Sequence, residues 1–242
     1  MEVHTKSHVK HEKKWKEYFF EFFMLFLAVS SGFFMENQRE HFVEHHRAKQ
    51  FAHSLYDDIK KDTAVLHQVM AFSIEKKIRL DSALEMLHHF GDQTDIESFY
   101  RNLMPIIRVN SFERSGATFE QIKSSGSLRY FDLKIVDLLN SYDVCAKRVS
   151  VREELESTVA INTMIPAFAD KFNVEVAYDI FNNLPITHET YAKNMTDDQI
   201  DKVINLCVLS KRGRDRAMIE YTKLLEVANQ TLDILKENYD VE

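Results

Sequence analysis

Hydrophobic positions along the chain follow two rhythms. The first is an unbroken apolar run from Tyr18 to Met35, eighteen residues holding seven Phe and, in Glu21, a single charge. A bilayer core takes roughly 20 residues of helix, so the run is slightly short but workable as a membrane span. A water-facing helix with that much exposed Phe would aggregate. The pattern therefore predicts a transmembrane helix over 18–36. Two other readings remain open. A cleaved signal peptide would find its small-residue site at Ala28-Val29-Ser30, although Glu21 interrupts the run and Phe33, Phe34 and Met35 continue it past that site. The other is a helix buried in a soluble core.

The second rhythm is helical and fills the rest of the chain. No Gly or Pro lies between Gly32 and Gly91, so the apolar helix can continue directly into a long exit helix over 37–90. Leu55, Ile59, Leu66, Met70, Leu80, Leu84 and Leu87 form its stripe, with Lys60, Lys61, Lys76 and Lys77 placed off it and a break possible near Ser73. A short helix over 95–104 stops before Pro105. Thr118 followed by Gln121 reads as a capping box, and Gly126 as a left-handed stop, with Phe119 and Ile122 on one face between them. A longer helix runs over 132–164 with Asp132 as N-cap, on a stripe of Ile135, Leu138, Leu139, Tyr142 and Val144 or Cys145; Pro166 closes or kinks it. Thr196 and Gln199 form a second capping signature, and a last amphipathic helix reaches about Asn238, with Gly213 either breaking it or lying inside it. Its stripe is Ile219, Tyr221 or Leu224, Leu225, Ala228, Leu232 and Leu235. The expected fold class is all-α. An N-terminal transmembrane helix continues into an exit helix, and an antiparallel helical bundle over 91–242 packs on that stalk.

Composition sharpens this picture. Five Gly and three Pro in 242 residues are too few for folds built on many tight turns. A net charge of −7 without a basic block argues against nucleic acid as a partner. Residues 1–17 carry Lys6, Lys10, Lys13, Lys14 and Lys16, whereas 36–52 carry Arg39, Arg47 and Lys49. That bias puts a basic, His-bearing tail (His4, His8, His11) in the cytoplasm and the bulk of the chain across the membrane, which in a bacterium is the periplasm. Ala28 and Gly32 are four apart, a small-residue spacing that lets membrane helices approach and supports a homo-oligomer. Glu21 lies about one turn inside the span. Snorkelling toward water, a helix–helix contact, or an ion-coupling role are all open to it.

Candidate chemistry is sparse. His41 and His45 share a helix face, a weak metal-binding possibility with no third ligand visible. Asp58 and Asp62 also share a face, where they can act as an acid–base pair, bind a cation, or accept cross-helix hydrogen bonds that hold the Thr118–Gly126 segment. Cys145 and Cys207 sit in different helices and read as free thiols, with a disulfide as the alternative. His67, His88, His89 and His188 have no recognisable nucleophile partner, and no nucleotide, hydrolase or zinc motif is present. No cofactor and no enzyme activity are expected.

Four blocks carry a family likeness. They are Glu21 with Gly32 in the span; Asn37 and Glu40 just beyond it; Leu55-Tyr-Asp-Asp58-Ile59-Lys-Lys-Asp62; and Thr118-Phe-Glu-Gln-Ile-Lys-Ser-Ser-Gly126. Together they resemble an uncharacterised family of single-pass membrane proteins common in Bacteroidota, over roughly residues 18–140. The resemblance implies an N-terminal anchor in the bacterial inner membrane and a helical periplasmic part, with no assigned activity. The expected role is a membrane-anchored, non-enzymatic scaffold or accessory subunit, either homo-oligomeric or part of a larger envelope complex. The alternatives are a signalling or ion-coupled subunit using Glu21, and a His-based metal protein.

Overall fold

The structure, a computed structural model, describes residues 15–186 and 195–241. The N-terminal residues His4, His8 and His11, and also His188, lie outside the described residues. All regular structure among the described residues is helical: α1 (Trp15–His88), α2 (Ile96–Leu103), α3 (Ala117–Ser124), α4 (Leu133–Val159), α5 (Ile165–Lys171), α6 (Val174–Phe181) and α7 (Asp197–Tyr239). The all-α class, with a long N-terminal helix followed by a helical bundle, is therefore observed. The chain divides into two units, one up to Gln50 and one from Phe51 onward.

The first unit is a stretch of α1. It contributes an 18-residue window of mean hydropathy 1.7, none of which is buried. Phe rings stack along its surface, with Phe19 and Phe23 centred 6.2 Å apart and Phe22 and Phe26 6.3 Å apart. Length and composition make this a helix that can cross a membrane.

In the second unit a stricter rule than amphipathicity governs packing. The buried residues of α1 from Ala52 are Ala52, Leu55, Ile59, Asp62, Leu66, Val69, Ser73, Lys76, Leu80, Ala83 and Leu87. They alternate three and four apart without exception. The same alternation runs through Ile135, Leu139, Tyr142, Ala146, Val149 and Glu153 of α4, and through Val203, Cys207, Ser210, Arg214, Ala217, Tyr221, Leu224, Ala228, Thr231 and Leu235 of α7. A mean period of 3.5 residues keeps each seam facing its neighbours when helices supercoil left-handedly. Direction follows from side-chain pairs. Lys77 meets Asp215 and Asp81 meets Lys211, while Glu153 meets Tyr221 and Glu156 meets Arg214. So α7 runs antiparallel to both α1 and α4. Beyond Leu80 the coil gives way to a globular core in which Phe99, Tyr100, Phe168 and Phe172 pack with Leu87, Val176 and Ile180. The Phe168 and Phe172 rings lie 4.8 Å apart and Tyr100 sits edge-on to Phe172 at 5.7 Å.

Several local expectations need correction. Helix α1 has no break at Ser73, whose hydroxyl donates back to the Val69 carbonyl at 2.9 Å and stays inside the helix. Lys76 is not off the stripe; it occupies a seam position at 6% exposure. Thr118 does not cap α3. The N-cap is Gly116, with no side-chain cap, and Thr118 lies one residue inside the helix. Pro166 does not end its helix, because the π-turn Ala160–Met164 precedes it and α5 carries the run on to Lys171. In that turn the Ile165 N–H donates to the Ala160 carbonyl, a wider ring that accommodates a residue with no N–H of its own. Gly213 lies within α7, and Ile219 is exposed. The capping box of Thr196 and Gln199 is present in both directions, and Gly126 has φ +69°.

Candidate functional site

Residues 108–116 join the short turn Met104–Ile107 to α3 without regular structure. Backbone polar groups in such a segment need partners wherever they are buried. The bundle supplies them from charged seam residues. Lys76 Nζ donates to the Arg108 carbonyl at 2.9 Å and reaches the Ile106 carbonyl at 3.5 Å. Both Glu153 carboxylate oxygens accept the Phe112 N–H, at 2.9 and 3.0 Å. Asp62 accepts the Ser115 N–H at 2.8 Å and the Tyr142 hydroxyl at 2.5 Å. Asp58 accepts the Thr118 hydroxyl at 2.6 Å. The two carboxylates thus stand in cross-helix hydrogen bonds. Two of the four family-like blocks, around Asp58 and around Thr118, meet through one of these bonds.

Beside them Arg114 pairs with Asp143 and lies over the rings of Phe119 and Tyr142, at 5.3 and 5.2 Å. Asp143 also receives Lys147 at 2.9 Å. These cationic bonds hold its carboxyl below the usual range although burial pushes the other way. Phe119 and Ile122 are buried on the inner face of α3. At this end of the bundle Arg114 Nε is also buried without a hydrogen-bond partner.

A second polar group is not absorbed in that way. Arg214 is 1% exposed and forms an ion pair with Glu156, while its other terminal nitrogen reaches the Ser73 hydroxyl at 3.4 Å. Tyr221 donates to Glu153 at 2.6 Å. Burial raises the Glu153 carboxyl, opposed by the Tyr221 and Phe112 bonds and the charge of Arg214. Arg152, one turn before Glu156, has its Nε 3.8 Å from Glu156 Oε1, too far for a hydrogen bond. Three buried atoms here have no hydrogen-bond partner: Arg152 Nε, Glu156 Oε1 and Arg214 Nε. Buried polar atoms without partners are uncommon and call for an explanation.

The unpaired Arg152 and Glu156 atoms belong to residues lining a cleft of about 290 Å³ between α4, α7 and the Met104–Ile107 turn. Its polar wall is Lys76, Arg152, Glu156, Arg212 and Arg216; its apolar wall includes Ile106, Leu155, Val159, Met164 and Leu209. The π-turn supplies Ala160 and Met164 to this wall. Burial first, then the nearby charges of Arg214 and Arg108, lower Lys76 to about 7.

The remaining sequence candidates are placed elsewhere. Glu21, Ala28, Gly32, Asn37, Glu40, His41 and His45 lie exposed along α1 in the first unit. Among the described residues no three His, Cys, Asp or Glu side chains converge as a metal site would require. Leu55 and Ile59 are seam residues of the second unit. Cys145 and Cys207 are both free, and burial pushes the Cys207 thiol up to about 12. Sequence reading missed Arg152, Glu153, Glu156 and Arg214. The available signal was the unbroken three–four spacing, which carries Glu153 and Arg214 at positions held mostly by apolar side chains.

No family model, curated protein or solved structure matches the chain.

Proposed function

We propose that this chain is a membrane-anchored, non-enzymatic interaction protein, an accessory or scaffold subunit of a bacterial envelope complex. One observation carries the reading: an 18-residue apolar window none of whose residues is buried by its own fold. Lipid tails are the environment that removes such a surface from water. In this reading the basic tail is cytoplasmic and the unit from Phe51 onward is periplasmic. The likeness to single-pass Bacteroidota proteins supports the same topology. The polar side chains of the coil support a non-catalytic role, since Asp62, Lys76, Asp143 and Glu153 are engaged in holding residues 106–115.

The test is expression of the full chain with a C-terminal tag in a bacterium, followed by alkaline extraction of membranes and protease treatment of spheroplasts. The expected result is a full-length chain that resists alkaline extraction and whose tag is cleaved only from outside the inner membrane. Release into the alkaline supernatant, or a mature N-terminus beyond Ser30, would overturn the anchor. Isolation in neutral detergent should then recover stoichiometric protein partners or a homo-oligomer; a monomer without partners would overturn the scaffold role.

A further inference from the structure

We infer that the cleft between α4, α7 and the Met104–Ile107 turn binds a small amphipathic anion, a carboxylate or phosphate monoester head group on a short apolar tail. Every residue involved lies beyond Phe51, so the inference stands apart from the membrane reading.

Charge gives the sign of the ligand. The chain carries a net −7, yet this cleft is lined by three arginines, Arg152, Arg212 and Arg216, against the single carboxylate of Glu156. Two exposed arginines and a partly buried third around one opening raise the local potential for an anion, and the planar guanidinium fork matches carboxylate and phosphate oxygens. The Arg152 side chain is only 19% exposed, and its buried Nε has no hydrogen-bond partner, the nearest acceptor being Glu156 Oε1 at 3.8 Å. An arriving anion supplies the missing acceptor, while Glu156 stays engaged by Arg214.

Shape and lining give the rest of the ligand. Leu155 and Leu209 are 53% and 50% exposed at the cleft although each belongs to a helix with a well-filled seam. Val159 and Met164 continue the apolar wall inward. A lone inorganic anion would leave that wall wet, whereas a tail of a few carbons covers it, at about 0.8 kcal/mol per methylene. The volume, about 290 Å³, sits at the small end of ligand pockets, which run from roughly 300 to 1,000 Å³. A full diacyl lipid does not fit within it. The π-turn in the wall is the kind of helix irregularity that recurs at binding sites.

The experiment uses the full chain in nanodiscs of phosphatidylcholine, titrated calorimetrically with octanoate and with octyl phosphate, the heats of empty nanodiscs being subtracted. Octylamine, 1-octanol and inorganic phosphate serve as controls. At least one of the two anions is expected to give saturable one-site binding, and which of them binds more tightly identifies the head group. Octylamine and octanol should give no heat beyond empty nanodiscs, and inorganic phosphate should bind at least tenfold more weakly than octyl phosphate. Arg212 and Arg216 are exposed, so the double variant Arg212→Gln/Arg216→Gln should fold as the parent does and weaken binding about tenfold or more. Leu209→Asp, also at an exposed position, should do the same by wetting the apolar wall. No saturable binding of either anion overturns the inference, as does binding that both variants leave intact. Equal binding of octylamine overturns the charge argument, and equal binding of inorganic phosphate overturns the tail.

Discussion

Lys76 makes the stability of this protein depend on pH in an unusual direction. An ordinary lysine keeps its proton to about 10.5, whereas in the fold burial, together with Arg214 of α7 and Arg108 of the following loop, brings Lys76 down to about 7. The other charged group lining its cleft from α4 on the acidic side is Glu156, already paired with Arg214. Between pH 7 and 9 the unfolded chain therefore holds a proton that the folded chain has released. Stability rises with pH wherever the unfolded state binds more protons. With folded and unfolded values of about 7 and 10.5, the gain from pH 7 to 9 is about 2 kcal/mol. The bonds from Nζ to two carbonyls favour the protonated form, so this figure is the upper end. From about pH 8 the effect is opposed in part by Cys207, which keeps its proton in the fold to about 12 while an unfolded thiol loses it, a loss of about 0.5 kcal/mol by pH 9. Lys76 acts alone from pH 7 to 8, and the net climb from pH 7 to 9 is about 1.5–2 kcal/mol.

The assay is urea unfolding of the full chain in a non-ionic detergent, followed by circular dichroism at half-unit steps across that window. With a urea slope of about 2 kcal/mol per molar, the midpoint should climb by about 1 M. Lys76→Met keeps the length of the side chain without the charge and should flatten the climb. A parent protein whose midpoint is level or falls from pH 7 to 9 would refute the reasoning, and so would a Met variant with the same slope as the parent.

Other perturbations have simpler signatures. Asp62→Ala removes the acceptor of both the Ser115 N–H and the Tyr142 hydroxyl and should cost about 3 kcal/mol, read by the same unfolding assay, whereas Tyr142→Phe should cost about 1–2 kcal/mol. Gly213→Ala should stabilise by about 0.5–1 kcal/mol, since the added methyl meets Glu156 at an ordinary 3.5 Å and the position is mid-helix. Gly126→Ala should destabilise by about 1–2 kcal/mol because φ there is +69°, with nothing nearby to blame except the backbone itself.

Much of the fold could be read from residue spacing because helices declare themselves locally. The Thr196–Gln199 box, the left-handed Gly126 and the Gly-free run after Gly32 each need only neighbours a few residues away. Thr118 had the right spacing for a cap and still went elsewhere, because Asp58, sixty residues earlier, offers its hydroxyl a charged acceptor. Pro166, read as closing or kinking its helix, does not close it: the π-turn before it is a property of backbone geometry that no residue type announces. The cleft was the least legible part. Lys76 looks like a surface lysine until the chain between Met104 and Gly116 is laid across it, and Arg214 sits in a basic run, Lys211 to Arg216, that suggests solvent. Only the strict alternation of threes and fours separates Arg214, on the seam, from Arg212 and Arg216 at the cleft surface.

That seam raises the question of why a coil of three long helices keeps an ion pair at its centre. Burying Arg214 and Glu156 removes two charges from water, and their attraction only roughly offsets the loss. Removing one partner is a different matter. Arg214→Met leaves Glu156 with Arg152 at 3.8 Å as its remaining cation, and Glu156→Leu leaves a fully buried guanidinium facing Ser73. Each single change should cost about 3–5 kcal/mol. The double variant Arg214→Met/Glu156→Leu restores an apolar seam and should lie within about 1 kcal/mol of the parent in urea unfolding, giving a coupling energy of several kcal/mol. Additive losses in the double variant would mean that the two side chains act independently. A strong coupling combined with parent-like stability would mean that the pair adds little net stability. Its retention would then have to be explained by register, since a heptad repeat of apolar residues alone lets α7 slide by seven residues, whereas Arg214 finds Glu156 in only one alignment.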